Sequence, residues 1–242
     1  SVVVQNPNFF GLVENILEVK NILKDTSIKL IVVLNPLSLA ILKKPSEYGA
    51  DIVCADGQSL GGNMGFGGPT FGIIAAKKEY LRQLPGRIVG KTRDLDGKES
   101  FCLTLQAREQ HIRRQNATSN ICSNQSLNAI AAAVYLSLMG KEGLYKAALY
   151  SLNSTHYLYN EMRKIKGITF PFSDIFFNEF VWHIGSGEKA LKKLARQGIL
   201  AGIELRRFYP KLSGCILSCC TEKKTKQDID NFITALKDIT HG

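Results

Sequence analysis

Ile28-Lys29-Leu30-Ile31-Val32-Val33-Leu34 is a short β-branched run that is apolar on both faces apart from one lysine. A strand with one wet face alternates polar and apolar residues. A run like this one belongs instead in a sheet covered on both sides, the habit of parallel α/β sheets. The flanking sequence agrees. Val2 to Val4 is a shorter strand run, and Leu12, Ile16, Val19 and Leu23 recur at the spacing of an amphipathic helix. Ala50 to Cys54 is a further strand, and Phe71 to Ala76 another. Alternation of this kind is what a helix-covered, mostly parallel sheet requires.

Two stretches interrupt the alternation. Gly57 to Gly72 holds seven glycines and a proline, too flexible for the interior of an element and suited to backbone that approaches a ligand or another chain. Gln83 to Thr118 is polar, charged and rich in turn residues, and reads as a long excursion of the functional or interfacial kind. A helix then carries Leu127, Ile130, Ala131, Val134 and Leu138 on one face. Gly140 and Gly143 interrupt it before a second helical stretch runs to about Lys164. Beyond this point Glu179–Ile184, Ile199–Leu205 and Gly214–Cys220 read as strands, and Glu188–Arg196 and Thr225–Asp238 as helices, the last opened by a capping box of Thr225 and Asp228. The predicted division is 1–164 and 165–242.

The chain has 242 residues, 45% of them hydrophobic, and a formal charge of +10. Those figures exclude a disordered tail or a disulfide miniprotein. The longest apolar runs fall well short of the roughly 18 residues a membrane span needs, so no membrane partner is expected. The positive charge is spread over Arg108–Arg114, Lys189–Arg196 and Lys223–Lys226, each of which reads as a solvated face. A basic RNA-binding module would interleave aromatics on a basic strand face, and this chain does not, so no nucleic-acid partner is expected either. Six cysteines without a Cys-x-x-Cys pair, and only four histidines, support neither a zinc site nor a disulfide framework. They read as buried thiols of a reducing compartment. A chain that opens on Ser-Val-Val-Val, already a strand, is expected to lack upstream sequence.

Two local patterns could carry chemistry. Gly185-Ser186-Gly187-x-x-Ala190 follows a strand and opens a helix, with Glu204 placed to meet a ribose hydroxyl, so a nucleotide-binding module is one reading. The other is a plain strand-to-helix turn with Ser186 near the N-cap, because too few strands remain downstream for two mononucleotide halves. His111 sits among Arg108, Arg113 and Arg114, a cluster suited to a phosphate or carboxylate, or to pairing with Glu109 and solvent. None of the four histidines sits in a motif that would pair it with a nucleophile.

Several separated segments resemble one family. Gln5-Asn-Pro-Asn-Phe-Phe-Gly11, Asn35-Pro-Leu-Ser-Leu39, Gly49-Ala-Asp-Ile-Val53, Gln58-Ser-Leu-Gly61, Phe66-Gly-Gly-Pro69, Leu84-Pro-Gly-Arg-Ile-Val-Gly90, Leu103 to Arg114, Ala117-Thr-Ser-Asn-Ile-Cys122 and Cys220-Thr-Glu-Lys223 are similar to the glycine decarboxylase P-protein, specifically its N-terminal half or subunit 1. The resemblance implies the back of a type I pyridoxal-phosphate-transferase large domain followed by a small α/β domain. It implies a cytoplasmic heterotetramer with subunit 2 that decarboxylates glycine and passes the aminomethyl group to the lipoyl arm of the H-protein. The cofactor acts as electron sink and needs a Schiff-base lysine and an acid for its pyridine nitrogen. Laying the resemblance on this chain puts Ser59 at the lysine position and Val32 at the acid position. Pyridoxal phosphate is therefore expected on the partner subunit and not here. Gly67, Gly68, Thr70, Arg108, His111, Arg113 and Arg114 are the residues expected to reach the partner's cofactor or line the interface.

Overall fold

The computed structural model describes residues 1–117 and 125–241. The N-terminal sheet is built from β1 (Val2–Gln5), β2 (Leu30–Leu34), β3 (Ile52–Asp56) and β4 (Gly72–Ala76), in that spatial order. β1, β2 and β3 run parallel, with Val4 beside Val32 and Val32 beside Val53. β4 is antiparallel to β3. Helix α1 (Ile16–Leu23) crosses between β1 and β2, with Asn15 at its N-cap accepting the Glu18 N–H. Its Ile16, Val19 and Leu23 pack on Leu30, Val32 and Leu34 of β2. Leu12, which the helical spacing also includes, lies outside α1 and bridges to Phe176 instead.

Asp51 locks this sheet at one end. Its carboxylate accepts the Leu30 N–H (2.8 Å) and the Lys77 ammonium (2.7 Å), while its own backbone bonds Leu30 and Lys77. One side chain thus ties the start of β2 to the exit of β4. Burial acts to raise its pKa, but the Lys77 ammonium and the Leu30 N–H outweigh that and hold the carboxyl below its usual range.

The polar excursion after residue 83 is partly a hairpin, β5 (Ile88–Arg93) against β6 (Glu99–Thr104). Asp94 closes its turn by accepting the N–H groups of Asp96 and Lys98, and Gly97 takes φ 77°. Helix α2 (Gln110–Arg113) is a single turn. Helix α3 (Ser126–Met162) is broken at Gly140, whose φ of 59° is non-helical. In its first run the apolar stripe of Leu127, Ile130, Val134 and Leu138 is exposed, and of this run's residues only Ala132 is buried.

The C-terminal part holds β7 (Glu179–His183), α4 (Gly187–Ala195), β8 (Ile203–Glu204), β9 (Cys215–Cys219) and α5 (Lys226–His241). β7, β9 and β8 form an antiparallel three-stranded sheet in that order. The strand expected over Ile199–Leu205 is only the two residues of β8, because Gly202 holds positive φ immediately before it and a 3-10 turn over Leu205–Arg207 follows it. The last turns of α3 supply Leu158, Tyr159 and Met162 to the core of this unit, against Phe176, Phe180, Trp182 and Leu236. Trp182 is fully buried, and its indole N–H donates to Ser218 Oγ (2.7 Å). Thr225 and Asp228 exchange side-chain-to-backbone bonds at the start of α5, the capping box read from the sequence.

Among the described cysteines, Cys215 and Cys220 are buried, Cys54 is half-buried, and Cys102 and Cys219 are exposed. The expectation of uniformly buried thiols is corrected accordingly. Cys102 lies on a two-stranded hairpin, which has no second layer to cover it. Cys122 lies outside the described residues. No helix among the described residues is long and apolar enough to cross a membrane.

Candidate functional site

The C-terminal ends of β2 and β3 meet at a network around Asn35 and Ser59. Asn35 leaves β2, caps the following 3-10 turn by accepting the Leu37 N–H (3.1 Å), and also accepts the Ser59 hydroxyl at 3.0 Å. Val32, two residues from the end of β2, is fully buried in the sheet between Val4 and Val53. Gln58 folds back, donating its amide to the Gly62 and Asn63 carbonyls. Asp56 accepts the Gln58 N–H and the Thr70 hydroxyl, pinning both ends of the glycine-rich stretch to the end of β3.

The glycine stretch is shaped by two different demands. A Cβ on Gly57 would lie 2.1 Å from the Phe71 ring, so close packing excludes any side chain there. Gly67 and Gly68 have open space but φ of 111° and 143°, so backbone conformation requires them. Phe66 next to them also holds positive φ and is almost wholly exposed. Asn128 near the start of α3 donates to the Pro69 carbonyl at 3.4 Å. A cavity of about 210 Å³ lies beneath, lined by Gln58, Asn63, Thr70 and Asn128 among others.

The arginine cluster divides by environment. The Arg108 guanidinium donates to the carbonyls of Leu84 and Gly86 and pairs with Glu109 at 3.1 Å, with its side chain only 10% exposed. His111, Arg113 and Arg114 are exposed and form no ion pair among the described residues. Arg114 holds φ 52°. No hydrogen bond or ion pair among the described residues joins this cluster to the Gly65–Thr70 loop. Residues 118–124, most of the Ala117–Cys122 segment, lie outside the described residues.

The resemblance asks for an amine at position 59 and an acid at position 32 to hold a pyridoxal-type cofactor, and the residues present there do not fit that group. Position 59 offers a hydroxyl already engaged by Asn35, and position 32 offers a buried isopropyl group. Of the nearby lysines, Lys77 is paired with Asp51. Asn35, Asp56 and Asn128, which hold the site together, were not singled out by sequence reasoning. The signal for Asn35 was available in an Asn-Pro pair directly after a strand.

The glycine motif before α4 is a turn. β7 enters it, but its sheet is wholly antiparallel, so the crevice between parallel strands that a dinucleotide occupies is absent. A Cβ at Gly187 would come within 3.3 Å of Glu204 and of the Gly214 backbone. Close packing accounts for that glycine, and Glu204 is the residue it packs against. Ser186 stands at the N-cap of α4 without a side-chain capping bond.

Comparison with known proteins agrees with the residue-level resemblance. A family model described as "Glycine cleavage system P-protein" matches residues 1–236. A protein of Carboxydothermus hydrogenoformans named "Probable glycine dehydrogenase (decarboxylating) subunit 1" is 49% identical over 236 residues, covering 98% of this chain and 53% of the relative. One of the same name from Moorella thermoacetica is 46% identical over 239 residues, covering 98% and 54%. A crystal structure of inhibitor-bound glycine decarboxylase (P-protein) superposes with a TM-score of 0.92 at 41% identity, over 98% of this chain and 54% of that one. The cysteine desulfurase CsdA from Escherichia coli shares the fold at a TM-score of 0.69 and 14% identity, over 99% and 58%. The chain spans about half the length of the curated relatives it matches. Its α/β architecture, with a mostly parallel sheet, is the one found in pyridoxal-phosphate enzymes of this kind. The chain belongs to the glycine cleavage system P-protein family.

Proposed function

We propose that this chain is part of subunit 1 of a heteromeric glycine dehydrogenase (decarboxylating), and that it is the half that carries no cofactor. The complete enzyme decarboxylates glycine and transfers the remaining aminomethyl group to the lipoyl arm of the H-protein. Pyridoxal phosphate on subunit 2 supplies the electron sink. This chain contributes a scaffold and an interface, with residues 1–164 belonging to the large domain and 165–242 forming the small one.

The observation that supports this reading is the Asn35–Ser59 hydrogen bond beside a buried Val32, at the two positions where the resemblance requires a lysine and an acid. Neither a hydroxyl held by an amide nor an isopropyl group performs either task. Two exposed parts of the chain have chemistry suited to a neighbour's anion. The Gly67 and Gly68 backbone, Arg113, Arg114 and His111 are the groups assigned to the partner's cofactor phosphate or substrate path. Thr70 shapes that loop through Asp56, and Arg108 positions the segment through Leu84 and Gly86.

The test is reconstitution. The chain alone, given pyridoxal phosphate and glycine, is expected to form no aldimine absorbance and release no carbon dioxide. Subunit 1 of the relatives' full length, mixed with subunit 2 and lipoylated H-protein, is expected to be active. Glycine decarboxylation by this chain in the absence of subunit 2 would refute the reading.

A further inference from the structure

The break in α3 creates a second feature away from the Asn35–Ser59 site. Gly140 ends the first run of the helix, and the chain resumes beside the 3-10 turn Pro36–Ala40. Between them lies an open groove of about 820 Å³. Its walls are apolar, from Leu37, Leu39, Leu60, Leu136 and Leu144, with Tyr145 about half exposed at the lip. Three lysines stand around it, Lys44 on one side and Lys141 and Lys146 on the other. None of the three forms an ion pair among the described residues, and Glu142 is the only described carboxylate in the lining.

An open apolar trough edged on both sides by cations that are unpaired among the described residues is complementary to a body with an apolar stripe and acids along its flanks. An amphipathic helix presents that arrangement, because residues spaced three and four apart form the stripe while acids occupy the margins. We propose that this groove docks an acidic amphipathic helix of the partner subunit. The proposal rests on the reading of the chain as one half of a hetero-oligomer and adds where the halves meet.

The experiment is lysine acylation footprinting by mass spectrometry, with an amine-reactive ester, on the chain alone and after assembly with subunit 2. Lys44, Lys141 and Lys146 are expected to react about ten-fold more slowly in the complex, while Lys192, paired with Glu188 on α4, keeps its rate. The triple variant Lys44→Glu/Lys141→Glu/Lys146→Glu should bind subunit 2 about ten-fold more weakly and with less salt dependence. Unchanged labelling in an assembled complex overturns the groove assignment and leaves the hetero-oligomer intact. Protection without subunit 2 overturns it too, assigning the groove to a second copy or, in a polypeptide of the relatives' length, to another part of the same chain. Failure of the wild-type protein to bind subunit 2 at all defeats both this proposal and the reading beneath it.

Discussion

Asp51 shows how one polar residue can be worth its burial. Its carboxylate replaces water with a backbone N–H and an ammonium, so removing the charge leaves the Lys77 ammonium without its partner. Asp51→Asn is expected to cost about 1–3 kcal/mol in urea unfolding at neutral pH. Because the folded carboxyl lies below its ordinary value, its contribution is present above the unfolded pKa near 4 and is lost as pH falls through the folded one. Wild-type stability should therefore drop between about pH 5 and pH 3 more steeply than that of the variant. Equal slopes would contradict the assignment.

The same scale separates the arginines. Arg108→Lys replaces a planar fork that reaches the Leu84 and Gly86 carbonyls from two nitrogens with a single ammonium, and is expected to lose about 1–3 kcal/mol. Arg113→Ala and Arg114→Ala should change stability by less than about 0.5 kcal/mol while lowering the activity of the assembled enzyme. In the sequence these residues form one cluster, open both to binding a phosphate or carboxylate and to pairing with Glu109 and solvent, because charge density says nothing about which guanidinium finds carbonyls. The thiols divide in a similar way. Burial pushes Cys220 up to about 11, so iodoacetamide at about pH 8 should label exposed Cys102 and spare Cys215 and Cys220.

At the scale of elements, legibility follows the strength of the local signal. Leu30 to Leu34 is apolar on both faces and forms the interior strand of a parallel set, as such a run must. The direction of β4 was not readable, since the reversal is made by a glycine-rich stretch whose path depends on Asp56 and Asn128. The β5–β6 hairpin lies inside the polar excursion, whose turn-rich composition masks it, though Asp96-Gly97 marks its turn. The exposed stripe on α3 shows the limit of periodicity, which identifies an apolar face without saying what covers it. The capping box was legible because it is local. Thr225→Ala removes a bond that the Asp228 N–H has no other described side chain to accept, and should destabilise the chain by about 0.5–2 kcal/mol, measured as a lower Tm.

For the molecule as a whole, a fold shared with pyridoxal-phosphate enzymes frames a site where the resemblance puts a serine and a valine at the two positions the cofactor would need. Ser59 and Val32 are legible in the sequence only through a resemblance that supplies the expected residues. The structure adds that each is absorbed into its surroundings, one by Asn35 and the other by the sheet. Under the proposed function, such a site is kept because the loops around it serve the partner's chemistry. The account is tested most directly by borohydride reduction of the assembled enzyme saturated with pyridoxal phosphate, followed by peptide mass spectrometry of both subunits. Every pyridoxyl-lysine is expected on subunit 2. A pyridoxyl group on Lys43, Lys44, Lys77, Lys78 or any other lysine of this chain would contradict it.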